Sequence, residues 1–439
     1  MSHTNTNSSS LQVAHKIKQK LEQQIHSIAS QPEIFAQSPS DFSRNRKLSF
    51  ETTIKIILSL GGQSLASELL SHFEFRVETP TVSALVQARN KINPKTFEQL
   101  FYRTVPSNQQ DKFYKGYQVL AHDGSDINIP YDENDPDTHH IAGQLKRRVG
   151  LLHLNALYDP MNKCYMAVDV QKHLELNERK SLCQMVDTFE FVNPTIIIAD
   201  RGYESFNVYE HIKKRGQKFL IRVKDTESQG FLKGLGLPQN RTFDTEVHLQ
   251  LTRRQTNKVK EDEQYHFLGS ASNFDYLPPK SKDSYPIHLR VVRIKLSEDS
   301  YESLVTNLDP FNFPSSELKA LYHLRWGIET SFRELKYALG LNQFHSKKLD
   351  LMIQEIYARL IMYNFSMAIA LAVDVYTKSK TAYQINFTQA FGICKKFFRF
   401  HHIDVAALIR RYILPIRPNR SDARKLVNKG FIGFLYRIA

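Results

Sequence analysis

The sequence predicts an α/β core with a β-rich insertion, preceded by an all-helical N-terminal domain. Three observations carry this reading. Apolar residues recur at helical spacing over 11–101, short apolar strands alternate with helices over 117–225, and turn-rich polar linkers separate strand-like segments over 226–308. The expected units are 1–105 for the helical domain, 113–225 with 309–376 for the core, 226–308 for the insertion and 377–439 for a basic C-terminal segment. The chain has 439 residues, 41% hydrophobic and 11% aromatic, so it can bury enough apolar surface to offset the entropy of ordering. Wholesale disorder is excluded.

After ten polar residues come LQVAHKIKQKLEQQIHSI and FETTIKIILSL, a Gly-Gly break at 61–62, SLASELLSHF, and TVSALVQARNKI beyond Pro80. Two short helices around a glycine turn fit a helix-turn-helix, and they fit many other small helical domains equally. YQVLAHDGSDINI then reads as a strand closed by Pro130, and residues 150–172 as two strands joined by the turn DPMN. LNERKSLCQMVDTFEF is helical, PTIIIAD a strand, YESFNVYEHIKKRG a helix ending at Gly216, and QKFLIRVKD a strand. The order is β, β, β, α, β, α, β. An unbroken isoleucine run between helices is the pattern of a strand covered on both sheet faces. In the insertion EVHLQLTRR, PIHLRVVRIKL and YESLVTNL are strand-like. A long helix follows FNFPSS and stops at Gly340. The apolar run LIMYNFSMAIALAV contains Asn364 and Ser366 and falls short of the ~20 residues that span a bilayer, so it reads as a core helix.

The formal net charge is +14, and residues 391–439 hold eleven Lys and Arg against two acids. Such a balance favours a polyanionic partner, nucleic acid first and an anionic membrane surface second. Three scattered cysteines, with no C-x-x-C, indicate neither a disulfide framework nor a thiolate zinc site, and a reducing compartment is expected. The N-terminus lacks a basic segment followed by an apolar one, so the expected location is the cytoplasm.

The stretch YHLRWGIETSFRELK concentrates the chemistry. At about 100° per residue, Tyr322, Arg325, Trp326, Glu329, Arg333 and Lys336 share a stripe roughly 100° wide at the edge of the apolar face, while Glu334 lies opposite. An ordinary surface ion pair between Arg325 and Glu329 is one account. That orientation supports a helix poorly, however, and one acid among cations also suits a site holding a metal ion beside phosphates. Asp200 ends PTIIIAD, where α/β sheets bind ligands and where Asp equally starts turns. Asp123 interrupts a strand on the inward-facing set with Val119, Ala121, Ile127 and Ile129, and an inward carboxylate needs a cation.

With its Y-(2)-R-(3)-E-(6)-K spacing from Tyr322 to Lys336, Asp123 in DGS and Asp200 in ADRGY, the chain resembles the DDE transposases of bacterial insertion sequences, the insertion-sequence-four group. NER at 177–179 and LVTNL at 304–308 also look like that family, and the resemblance covers roughly 115–375. It implies a ribonuclease-H-like core with a β-rich insertion between the second Asp and the Glu. It also implies Asp123, Asp200 and Glu329 as ligands of two Mg²⁺ ions, with Mn²⁺ able to substitute, and cleavage at transposon ends followed by joining of the 3′-hydroxyls to target DNA. Tyr322, Arg325 and Lys336 would contact phosphates of double-stranded DNA, with the protein a homodimer on that DNA and no membrane partner.

Trp326 suits either stacking on an extruded base or packing at the core edge, and Arg333 is a further phosphate candidate. The aromatic and cationic tail from KKFFRFHH to RPNRSDARK reads as a DNA contact or as a solvated terminus. His139-His140 and His401-His402 lack zinc-site spacing and read as exposed loop histidines. A ribonuclease-H-like nuclease without strand transfer and an inactive DNA-binding relic are the competing functions.

Overall fold

A computed structural model describes residues 3–105, 112–142, 146–226, 230–238, 242–262, 264–298, 300–375 and 382–416. Among the described residues, six helices come first: α1 His3–Ala29, α2 Pro32–Phe35, α3 Phe50–Ser59, α4 Leu65–His72, α5 Val82–Arg89 and α6 Thr96–Thr104. Ser49, Ser64 and Thr81 precede α3, α4 and α5, and each hydroxyl accepts from the N–H three residues on. Those bonds satisfy donors that a helix start otherwise leaves orphaned.

The core follows as β1 Gln118–Ile129, β2 His139–Ala142, β3 Arg147–Asp159, β4 Cys164–Lys172, α7 Glu178–Thr188, β5 Thr195–Ala199, α8 Phe206–Lys214 and β6 Lys218–Val223. β4, β3 and β1 pair antiparallel, and β1, β5 and β6 continue in parallel. Apart from β2, the elements follow one another as the sequence leads one to expect. Ile196 and Ile198 of β5 enter one hydrophobic core and Ile197 enters another built on α7 and α8. Alternation along a strand thus feeds both faces, which is why the run is apolar throughout.

The insertion contributes β7 Phe243–Thr252, α9 Asn257–Glu261, β8 Tyr265–Phe267, β9 Ser284–Ser297 and β10 Ser300–Thr306. β10 pairs with β6, and the sheet continues through β9, β7 and β8, reaching ten strands among the described residues. The insertion therefore extends the core sheet. Beyond it lie α10 Ser315–His323, α11 Trp326–Tyr337, α12 Leu349–Leu371, β11 Tyr383–Ile385, α13 Phe387–Arg399, α14 Val405–Arg411 and β12 Ile413–Pro415. The apolar run at 360–373 falls in α12 and its end and is mostly buried. Among the described residues no helix is long and apolar enough to cross a membrane. Most of the basic tail, from residue 417 on, lies outside the described residues.

Three expectations need correction. The single long helix is two, because the N–H groups of Leu324, Arg325, Gly327 and Ile328 each reach back three residues instead of four. This tightened turn winds the chain past the constant 100° step. Gly340 does end α11, with φ +76. Glu334 is half-buried and accepts from the Tyr363 hydroxyl at 3.0 Å, because α12 covers the side of α11 that a lone helix would leave wet. His139 and His140 form β2, with His139 Nε2 2.7 Å from the Asp132 carbonyl and His140 Nδ1 3.1 Å from His173.

One buried ion cluster joins the helical domain to the core. Arg89 of α5, 0% exposed, places Nη2 2.9 Å from Oε1 of Glu355 on α12, and Nδ1 of His345 lies 2.9 Å from the other oxygen. Burial works to raise the Glu355 carboxyl, but Arg89, His345 and Arg359 overcome it and hold it down to about 2. That lies below the ~4.3 of an unfolded Glu, so the contribution is present at neutral pH and is lost as pH falls toward 2. Replacing Glu355 with Ala leaves Arg89 buried without its partner and is expected to cost about 3–5 kcal/mol at pH 7. Urea denaturation checks this, and a loss below about 1 kcal/mol would show the two domains to be held otherwise.

Candidate active site

Asp123 lies in β1 and Asp200 follows β5. The two strands run parallel with His122 opposite Ala199, so both carboxylates leave the sheet one step past that pair. Asp123 Oδ1 accepts from the N–H of Gly124 at 2.9 Å, and Asp200 Oδ1 from the N–H of Gly202 at 2.7 Å. Asp200 is therefore a turn starter as well, and in each residue Oδ2 has no part in these backbone bonds.

Glu329 arrives from α11, which packs on β1. Arg325 sits between the two elements, its side chain 5% exposed, with Nη1 3.2 Å from Asp123 Oδ2 and Nη2 2.6 Å from Glu329 Oε1. The tightened turn is what carries Arg325 inward from the stripe. Burial raises the Asp123 carboxyl to about 6; the Gly124 N–H and Arg325 oppose that rise, while the charges of Asp200 and Glu329 reinforce it. Asp123 thus lies in the field of both other acids, although the three carboxylates are not among the described groups whose donor atoms all fall within 4.8 Å of one another. One guanidinium serves both Asp123 and Glu329, and carboxylate oxygens are the donors that a hard divalent cation prefers.

The remaining stripe residues divide by exposure. Tyr322 is buried at 5%, and its hydroxyl has no hydrogen-bond partner among the described residues. Trp326 is 40% exposed, with the Arg325 guanidinium 5.0 Å from its ring centre. Arg333 is exposed. Lys336 is half-buried, donates to Ser125 Oγ of β1 at 2.7 Å, and has its ammonium pushed below the usual lysine range by burial.

A second layer escaped the sequence reading. His153 of β3 stands 2.8 Å from Asp126 and 2.9 Å from Glu178; burial would lower its imidazole, but the two carboxylates lift it to about 9. A side chain at Gly124 would put its Cβ 2.1 Å from His153 Nε2, so the glycine after Asp123 makes room for this imidazole. NER acquires a structural account. Asn177 caps α7, Glu178 meets His153, and Arg179 Nε donates to the Gly202 carbonyl at 2.7 Å. Arg179 thereby braces the turn that presents Asp200. The three residues of NER were the only signal for this layer.

Replacing Arg325 with Ala is expected to move the Asp123 carboxyl titration upward, above about 6, because the cation opposing burial is gone. Carbon-detected NMR titration of aspartate-labelled protein checks this. An unchanged titration would show that Arg325 does not bridge the pair.

The candidate transposase y4zB of Sinorhizobium fredii is 23% identical over 216 residues, 49% of this chain and 52% of that protein. The transposase InsG of insertion sequence element IS4 from Escherichia coli K12 is 29% identical over 92 residues, 20% of this chain and 21% of that protein. The match thus spans about half the length of the first relative and a fifth of the second. Among solved structures, the piggyBac transposase synaptic complex with hairpin DNA aligns at TM-score 0.46 and 9% identity, over 91% of this chain and 81% of that one. A family model described as Transposase DDE domain matches residues 114–365, more than half of the chain and all three acids included. This chain belongs to the DDE-domain transposase family.

Proposed function

We propose that the protein is a DNA transposase that cuts phosphodiester bonds at transposon ends and joins the freed 3′-hydroxyls to target DNA, in a cut-and-paste reaction. The observation that supports this is that Asp123 and Glu329, from a strand and a facing helix, share one guanidinium, while Asp200 ends the strand that pairs with that of Asp123. These three carboxylates would hold Mg²⁺. Two such ions, when bound, activate a water and stabilise charge on the leaving oxygen.

The protein's own groups supply the rest. Arg325 keeps Asp123 and Glu329 at one place before DNA arrives. A phosphate oxygen competes with those carboxylates for its planar fork, so end binding frees an acid as it fixes the backbone. Lys336, pinned to β1 through Ser125, and exposed Arg333 add phosphate-directed charge. Trp326 offers part of its ring to an unstacked base. Tyr322 would reach a phosphate only with rearrangement of the packing over its hydroxyl. Paired ends call for two copies of the chain on DNA.

The test is incubation with Mg²⁺ and duplex DNA carrying the element's terminal repeats. Glu329→Gln is expected to lower cutting at least ~100-fold while end binding stays within about twofold. Retained cutting would remove Glu329 from the site, and nicks without joined products would make the protein a nuclease instead. Lys336→Ala is expected to weaken end binding and reduce the salt slope by about one. Gel-shift measurements across a salt series read both effects, and an unaltered slope would remove Lys336 from the phosphate contacts.

A further inference from the structure

We propose that Glu246, His248 and His288 form a site for one divalent transition-metal ion, Zn²⁺ foremost, on the outer face of the β7–β9 pair. The site is separate from Asp123, Asp200 and Glu329 and does not depend on their role.

The register creates it. β7 and β9 are antiparallel with His248 directly opposite His288, and the imidazole rings stack at 4.2 Å with 9° between their planes. Glu246 lies two residues before His248, on the same face. Its Oε2 is 3.4 Å from His288 Nε2 and 4.0 Å from His248 Nε2, and all three donor atoms fall within 4.8 Å of one another. Tetrahedral zinc with bonds of about 2.1 Å holds its ligand atoms about 3.4 Å apart. Because the lone pair of an imidazole nitrogen lies in its ring plane, seating the ion takes a turn of the two stacked rings toward each other as well as shifts of up to about one ångström. Among the described residues this is the one group of three or more His, Cys, Asp or Glu so tightly convergent.

The neighbouring cation does not compete. Arg290 stands opposite Glu246 in the ladder, yet its Nε and Nη2 contact Asp244 at 2.7 and 2.6 Å, and its Nη1 donates to the carbonyls of Leu308 and Phe313. Glu246 is left to the histidines.

Two imidazoles and a carboxylate select Zn²⁺, Cu²⁺ or Ni²⁺ over Mg²⁺, whereas an all-carboxylate set suits Mg²⁺ or Mn²⁺. The two sites would therefore partition different metals. Three protein donors leave a fourth position for water or for a donor from another molecule. Bound metal would also clip β7 to β9 across the long connection between them.

The experiment is titration of the metal-stripped full chain with Co²⁺ in excess Mg²⁺, read by the visible absorption of tetrahedral cobalt, with Zn²⁺ displacement followed by calorimetry. One equivalent is expected, displaced by Zn²⁺ and indifferent to Mg²⁺, with a rise in Tm on Zn²⁺ addition. His288→Ala and Glu246→Gln, both at exposed positions, are each expected to weaken binding at least ~10-fold and to remove the Tm rise. Glu329→Gln should leave the cobalt spectrum unchanged. Absence of a stoichiometric signal, or a spectrum unaltered in His288→Ala, would overturn the site. Circular dichroism matching the parent confirms that the variants fold.

Discussion

A buried guanidinium holds together two acids that the chain supplies more than 200 residues apart. Arg325 is almost without solvent contact, and its planar fork meets Asp123 on one side and Glu329 on the other. Neither carboxylate could sit beside the other in a half-dry pocket without such a cation, because burial and mutual repulsion both act against their charges. The arrangement is stable as it stands, and it is also loaded. Any ligand that offers Arg325 a stronger acceptor, or offers the acids a doubly charged partner, shifts the same equilibrium.

Around this pair the fold provides rigid positions. β1 and β5 lie side by side in register, Gly124 clears space for His153, and NER ties the first turn of α7 to the loop after β5. On the opposite side α12 carries Glu355 to Arg89 of the helical domain and Tyr363 to Glu334 of α11. The helix bearing Glu329 is thus fixed to both the sheet and the N-terminal helices. Few of these contacts are local in sequence.

That distinction explains what could be read beforehand. The succession of strands and helices along 117–225, β2 apart, was legible because period-two alternation and the isoleucine run at 196–198 are properties of short windows. Asp123 was legible as an inward carboxylate for the same reason. The break between α10 and α11 was not, since a helical wheel assumes a constant step and a turn with bonds three residues back violates it. The partner of Glu334 lies 29 residues away on another helix. Glu246, His248 and His288 meet only through the β7–β9 register, which no single stretch encodes.

The pairing of β10 with β6 reaches beyond the site itself. Because β6 is stitched on one side to β5 and on the other to β10, neither flank of that central strand meets water. Excising 226–308 as though it were an appended module would strip one flank bare, exposing unpaired N–H and C=O groups beside an apolar strand. Such a surface recruits foreign strands, so a shortened chain would tend toward self-association even with every acid intact. Any grafted replacement must therefore bring an edge of its own to seal the seam.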